Sequence, residues 1–201
     1  HFKRSIAFLK LLRKKEIYAM VMLTLTNDNM DEVLPLGEFL NGKADSFTFN
    51  RLSMTGEGAS LRLPEPDAFE TFLNRYLEAC SSNPVLRLKD NLFNILKTLK
   101  KQQVSGGCTG HGCGAVFNFI SLLPDGEVHA CRKFPSVIGN INEASLLQIY
   151  DSPLADQYRR GSEACSGCRL SAVCRGCPAV VYGMGLDSFT SKDPFCFYPD
   201  N

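Results

Sequence analysis

Apolar residues recur at helical spacing from the start of the chain. Phe2, Ile6, Leu9 and Leu12 fall on one face of residues 2–15, with Lys and Arg on the other as a solvated face. The run "YAMVMLTLT" (18–26) carries no charge and predicts a strand buried on both faces. Asn29, with Glu32 three residues on, predicts an N-capped helix to about Leu40, kinked by Pro35 and closed at Gly42. A second strand follows in "ADSFTFNRLSM" (44–54). Phe47 and Phe49 alternate there with Ser46, Thr48 and Asn50, and the apolar phase then jumps to Leu52 and Met54, which predicts a bulge or twist near Arg51. Asp67 and Glu70 form a capping-box pattern ahead of a helix whose Phe69, Phe72, Leu73, Tyr76, Leu77 and Cys80 share one face. Cys80 therefore reads as a core residue. A further helix is predicted over 86–100, with Leu88, Leu92, Ile95, Leu96 and Leu99 inward. This alternation predicts an α/β fold with parallel strands and right-handed crossovers. Two such strands make half a domain, so the pattern predicts further sequence ahead of His1.

From "SGGC" (105–108) onward, helical periodicity gives way to Gly, Pro and Cys. "AVFNFISLL" and "EVHAC" predict a hairpin turning at Pro124 and Gly126, and "GNINEASLLQIYDSPL" predicts one capped short helix. Residues 161–201 read as loops held by something other than a large apolar core. The expected organisation is an α/β unit over 1–84, a linking helix over 85–103 and a Cys-rich unit over 104–201.

Composition narrows the setting. At 44% hydrophobic, the 201-residue chain can pack a globular core. Its 22 basic and 21 acidic residues leave a net charge of +1, which favours neither nucleic acid nor an anionic membrane as partner. The longest apolar run is far shorter than the roughly 20 residues a spanning helix needs. "HFKRSIAFLKLLRKK" is interrupted by Lys10 and Arg13 and lacks a small-residue cleavage site, so it does not read as a signal peptide. The expected location is cytoplasmic, where many cysteines point to metal or redox chemistry rather than disulfides.

Eight of the nine cysteines lie in the second half, spaced C-x4-C-x17-C, then C-x2-C-x5-C-x2-C, then C after eighteen more residues. Glycines flank them, as a backbone wrapped closely round a cofactor requires. Eight thiolates make two sets of four, suited to two structural zinc ions or to two 4Fe–4S clusters. Arg132, Lys133, Arg169 and Arg175 adjoin these cysteines, where they would stabilise an anionic cluster or serve as ordinary surface charge. With eight thiols at hand, His111 and His129 read as structural. No hydrolytic triad or phosphate loop stands out.

The stretch from Cys108 to Cys196 resembles the SPASM domain, a C-terminal extension of many radical S-adenosylmethionine (SAM) enzymes. "GEVHAC" supplies its G-x4-C, and "CSGCRLSAVC" its C-x2-C-x5-C. "CRGC" departs from it, with two residues between Cys174 and Cys177 where the common pattern has three. The resemblance implies interleaved ligands: Cys108, Cys113, Cys131 and Cys177 for one auxiliary 4Fe–4S cluster, and Cys165, Cys168, Cys174 and Cys196 for a second. Residues 1–84 are similar, less specifically, to the second half of the radical SAM partial (β/α)6 barrel. On that footing Thr24, Thr26, Asn27, Arg51 and Ser53, near the C-terminal strand ends, are expected SAM contacts. The C-x3-C-x2-C motif for the SAM-cleaving cluster is not in this chain, so the chain is not expected to act alone. The resemblance implies that the full enzyme, with a third 4Fe–4S cluster, cleaves SAM to a 5′-deoxyadenosyl radical and is an oxidoreductase of the peptide-maturase type. Its expected partners are a precursor peptide or protein substrate and an electron donor such as ferredoxin or flavodoxin. The competing reading is a zinc-stabilised peptide-binding module without redox chemistry.

Overall fold

The computed structural model describes residues 1–104 and 112–199. Helix α1 (Phe2–Lys14) leads into strand β1 (Met20–Leu25), helix α2 (Val33–Leu40) and strand β2 (Ser46–Arg51). β1 and β2 pair in parallel and in unbroken register, from Met20 opposite Ser46 to Leu25 opposite Arg51. The bulge expected near Arg51 is therefore not there. The strand ends at Arg51, and the phase jump marks that end. A 3₁₀ turn, Asn27–Glu32, precedes α2. Asn29 is not its N-cap: its Oδ1 accepts the Thr26 N–H at 2.9 Å, three residues upstream. Pro35 is the third residue of α2, in the first turn, where the N–H it lacks would have no helical partner. No kink is needed.

β2 is buried at five of its six positions, whereas Met20 and Met22 of β1 are exposed. The difference lies in neighbours. On its far side β2 meets residues 85–87, where Phe47 N donates to Val85 O at 2.7 Å and Arg87 N to Phe47 O at 2.9 Å. β1 thus forms the sheet edge among the described residues, and the expectation that it is buried on both faces fails. Helix α3 (Pro66–Ala79) is the crossover from β2 to 85–87. It begins at Pro66 with Glu65 as N-cap, so Asp67 lies in its first turn rather than at the cap. Its Phe69, Phe72 and Tyr76 meet the ring of Phe49 at 6.3, 5.2 and 5.1 Å, edge-on. Helix α4 covers only Phe93–Leu99, because the residues ahead of it belong to the sheet and a turn, and Leu99 is half-exposed rather than inward.

The second half contains an antiparallel sheet of β3 (Ser121–Leu122), β4 (Glu127–His129) and β5 (Val137–Asn140). Gly126, at φ 88°, makes the predicted hairpin turn, and a Cβ there would lie 2.5 Å from Asn142 Nδ2. β5 has no counterpart among the elements expected from the sequence. The one expected helix is two, α5 (Leu146–Tyr150) and α6 (Pro153–Arg160), capped by Ser145 and Ser152. A short α7 (Pro178–Gly183) interrupts the predicted loops. The main core runs through both halves, from Leu25, Phe47 and Tyr76 to Leu170, Val180 and Phe195. A second, smaller core packs Val116, Val128, Ile138 and Ile149. None of the helices among the described residues is long and apolar enough to cross a membrane.

Candidate metal centres

The cysteines of the second half gather round two separate cavities. Cys113, Cys131 and Cys177 line one, together with Arg51 and Asp90. Cys165, Cys168, Cys174 and Cys196 line the other, against Leu92 and Ile95. Cys108 and His111 lie outside the described residues. Each cysteine is set by local backbone. Cys165 ends a single 3₁₀ turn, and Cys168 N donates back to Cys165 O at 3.1 Å. Cys177 is the N-cap of α7. Between Cys174 and Cys177, Arg175 and Gly176 both adopt left-handed backbone, at φ 60° and 61°, and this double turn sends the two cysteines to different cavities. At Gly112, φ 79°, a Cβ would stand 2.7 Å from Cys174 O, so the Cys113 loop lies directly on the chain that carries Cys174.

Several sulfurs receive a backbone N–H from the residue two places on. Leu170 N reaches Cys168 Sγ at 3.4 Å, and the N–H groups of Lys133, Gly176 and Tyr198 bond Cys131, Cys174 and Cys196. Such donors stabilise charge on sulfur. Burial nevertheless pushes the Cys174 thiol up to about 12. Burial raises Cys131, Cys165 and Cys196 as well, with neighbouring thiols adding to it. Neighbouring thiolates repel one another, and binding a cationic centre reverses that balance. Among the described residues no three His, Cys, Asp or Glu converge closely enough to hold one metal ion. Soft donors in two groups, N–H groups aimed at sulfur and glycine at the close approach are a donor set that an iron–sulfur cluster would accept.

Other residues singled out in the sequence lie elsewhere. Cys80 packs, half-buried, against the main core, where burial pushes its thiol up to about 11. His129 Nε2 pairs with Glu127 at 2.9 Å, and its Nδ1 accepts the Ser136 N–H at 3.0 Å. Both ring nitrogens are engaged within the hairpin, a structural role. Thr24 and Asn27 are exposed and Thr26 is buried. Ser53 Oγ donates to Ala179 O at 2.8 Å. Arg51 is buried and fully engaged: Nε meets Asp90 at 2.7 Å, while Nη1 and Nη2 form a fork on Asp193 at 2.9 and 2.8 Å. Burial opposes its charge, but Asp193 and Asp90 hold its pKa well above the ordinary value. Arg51 and Ser53 thus face the cysteine-bearing half. The partners that join the halves, Asp90, Asn91, Asn94 and Asp193, carried no signal of their own. Asn91 Nδ2 donates to Gly176 O at 3.1 Å and Asn94 Nδ2 to Val173 O at 2.7 Å.

Residues 113–178 match the family model SPASM, an iron–sulfur cluster-binding domain. Across 98% of its length the chain is 25% identical to the AdoMet-dependent heme synthase of Methanosarcina barkeri, covering 61% of that protein. Across 93% it is 28% identical to the antilisterial bacteriocin subtilosin biosynthesis protein AlbA of Bacillus subtilis, covering 41% of it. The chain therefore spans only part of the curated relatives it matches. Its fold is similar to that of hexahistidine-tagged anSMEcpe with bound AdoMet, at a TM-score of 0.56 and 16% identity, over 89% of this chain and 50% of that one. The SPASM match and the sequence relatives make this chain similar to radical SAM/SPASM proteins, and the solved neighbour shares its fold.

Proposed function

We propose that the chain holds two auxiliary 4Fe–4S clusters and forms part of a radical SAM maturase that modifies a peptide or protein. Cys113, Cys131 and Cys177, with Cys108 as fourth ligand, would hold the first, and Cys165, Cys168, Cys174 and Cys196 the second. The observation that carries this reading is the division of the described cysteines between two cavities, with Cys174 and Cys177 parted although only two residues separate them. When bound, such clusters supply one-electron transfer. This chain's own residues hold the thiolates, donate N–H groups to sulfur and shield the second site with Leu92 and Ile95. Arg175 stands near enough to Cys113 to stabilise negative charge there. Thr24, Thr26 and Asn27, near the C-terminal end of β1, and Arg51 and Ser53, at and just beyond the end of β2, are the proposed SAM contacts. A peptide substrate is supported by the relative that serves bacteriocin biosynthesis. A ferredoxin or flavodoxin is the proposed electron donor, and the reducing cytoplasm the proposed setting for so many free thiols.

Anaerobic purification followed by iron, sulfide and zinc analysis tests this. About eight irons with matching sulfide in a brown sample are expected, four per cluster. A colourless protein with two zincs overturns the redox reading in favour of a zinc-stabilised module.

A further inference from the structure

Asp193 stands between the two cysteine groups and bonds to the chain around both. Its Oδ1 accepts from Arg51 Nη1 at 2.9 Å and from Phe195 N at 3.0 Å. Its Oδ2 accepts from Arg51 Nη2 and from the backbone N–H of Cys177, each at 2.8 Å. The Asp193 carbonyl in turn accepts the Cys196 N–H at 2.9 Å. Cys177 lines the first cavity and Cys196 the second, so a single residue is bonded to the backbone of a ligand from each. The Asp193 side chain is 2% exposed. A Cβ on Gly176 would lie 2.6 Å from Asp193 Cβ, so the link between Cys174 and Cys177 also runs against it. Asp193 lines the second cavity, and its partner Arg51 lines the first. Asp90 differs: its carboxylate meets Arg51 and the Leu92 N–H, and it lines the first cavity.

Resting on the two-cluster reading, we propose that Asp193 is a positioning residue that ties the two clusters together. It fixes the backbone of one ligand of each, and its charge, balanced by Arg51, acts on both. Asp193 is not a ligand and acts through Cys177, Cys196 and its field. In a buried site a fixed negative charge opposes the uptake of an electron nearby, and solvent screens it little. Hydrogen bonds and charges around the ligands are among the levers that set a cluster's potential.

Asp193→Asn keeps the size and removes the charge. In the anaerobically reconstituted chain, the midpoint potentials of both clusters would be followed by electron paramagnetic resonance, with dithionite supplying one electron to each. Iron, sulfide and thermal stability would be measured alongside. Both clusters are expected to be retained and both potentials to move upward together, while Asp90→Asn moves the first cluster more than the second. Unmoved potentials, or movement of one alone, would reduce Asp193 to a structural brace, whatever the loss in thermal stability. Should Asp193→Asn take up no iron, Arg51→Gln decides instead. Two potentials moving downward together support the tie, and one left in place overturns it. Wild-type protein without iron and sulfide overturns the cluster reading and this inference with it. Two wild-type clusters indifferent to these substitutions overturn the inference alone.

Discussion

Cys177 follows Cys174 by three positions yet faces a different cavity, and what separates them is two successive left-handed residues, Arg175 and Gly176. Its N–H is held by Asp193 at 2.8 Å. Cys177→Ala is therefore expected to lower iron content by about half, one cluster's share of two four-iron clusters. The spectroscopic signal of the first cluster should go and that of the second should remain. Selective loss of the second would break the interleaved assignment. Cys80→Ala is the control: it packs on the main core, away from both cavities, so iron should be unchanged and the stability cost about 1 kcal/mol or less. The candidate ligand cysteines were legible in the sequence because their spacing displays them. The Arg51–Asp193 pair was not, since its members lie 142 positions apart and only the tertiary approach makes them partners. Sequence shows that Arg51 sits at a strand end, but not which buried carboxylates meet it.

At the scale of elements, the Cys113 loop and the Cys174 segment are pressed together at Gly112. Two glycines separate conformational strain from crowding. Gly112 and Gly185 both have left-handed backbone, at φ 79° and 76°, where a Cβ costs roughly 1–2 kcal/mol. At Gly185 nothing lies within 4 Å of such a Cβ, whereas at Gly112 the Cys174 carbonyl oxygen is 2.7 Å away. Gly185→Ala is expected to show the backbone cost alone, with full iron content. Gly112→Ala should cost more and lose iron, because the Cys113 and Cys174 segments must move apart. Equal losses in chemical denaturation, with equal iron, would show that this contact does not hold the sites. The elements best read from sequence are β2 and α3, whose apolar positions all face one extensive core. The predicted helix reaches back to residue 86 because Leu88, Leu92 and Ile95 keep helical spacing, and pairing with Phe47 makes the residues at its start extended. α7, six residues long, is too short for a helical period to show among closely set Gly and Cys.

The whole molecule joins two halves with unequal cores. The first buries a dense aromatic group around Phe49, while the second, beyond its share of that core, has mainly small clusters such as Val116, Val128, Ile138 and Ile149. The join is polar as well as apolar: Arg51 to Asp193, Ser53 to Ala179, Thr55 to the Lys133 carbonyl, and Asn91 and Asn94 to the Gly176 and Val173 carbonyls. If bound metal supplies what the second half lacks in core, removing it should loosen that half first, since metal-binding free energy is then folding free energy. Anaerobic chelation followed by hydrogen exchange is expected to raise exchange over 112–199, most around α7 and the Cys165–Cys168 turn, while β2 and α3 stay protected. The Phe47 and Tyr76 region is buried around the Phe49 aromatic group of the first half, so it should respond mainly through the lost join. A rise spread evenly over both halves would mean instead that the Arg51–Asp193 join makes the chain one cooperative unit. Exchange unchanged by chelation would mean that the second half stands on its small cores alone, and the two cavities would then be a consequence of the fold rather than a source of its stability.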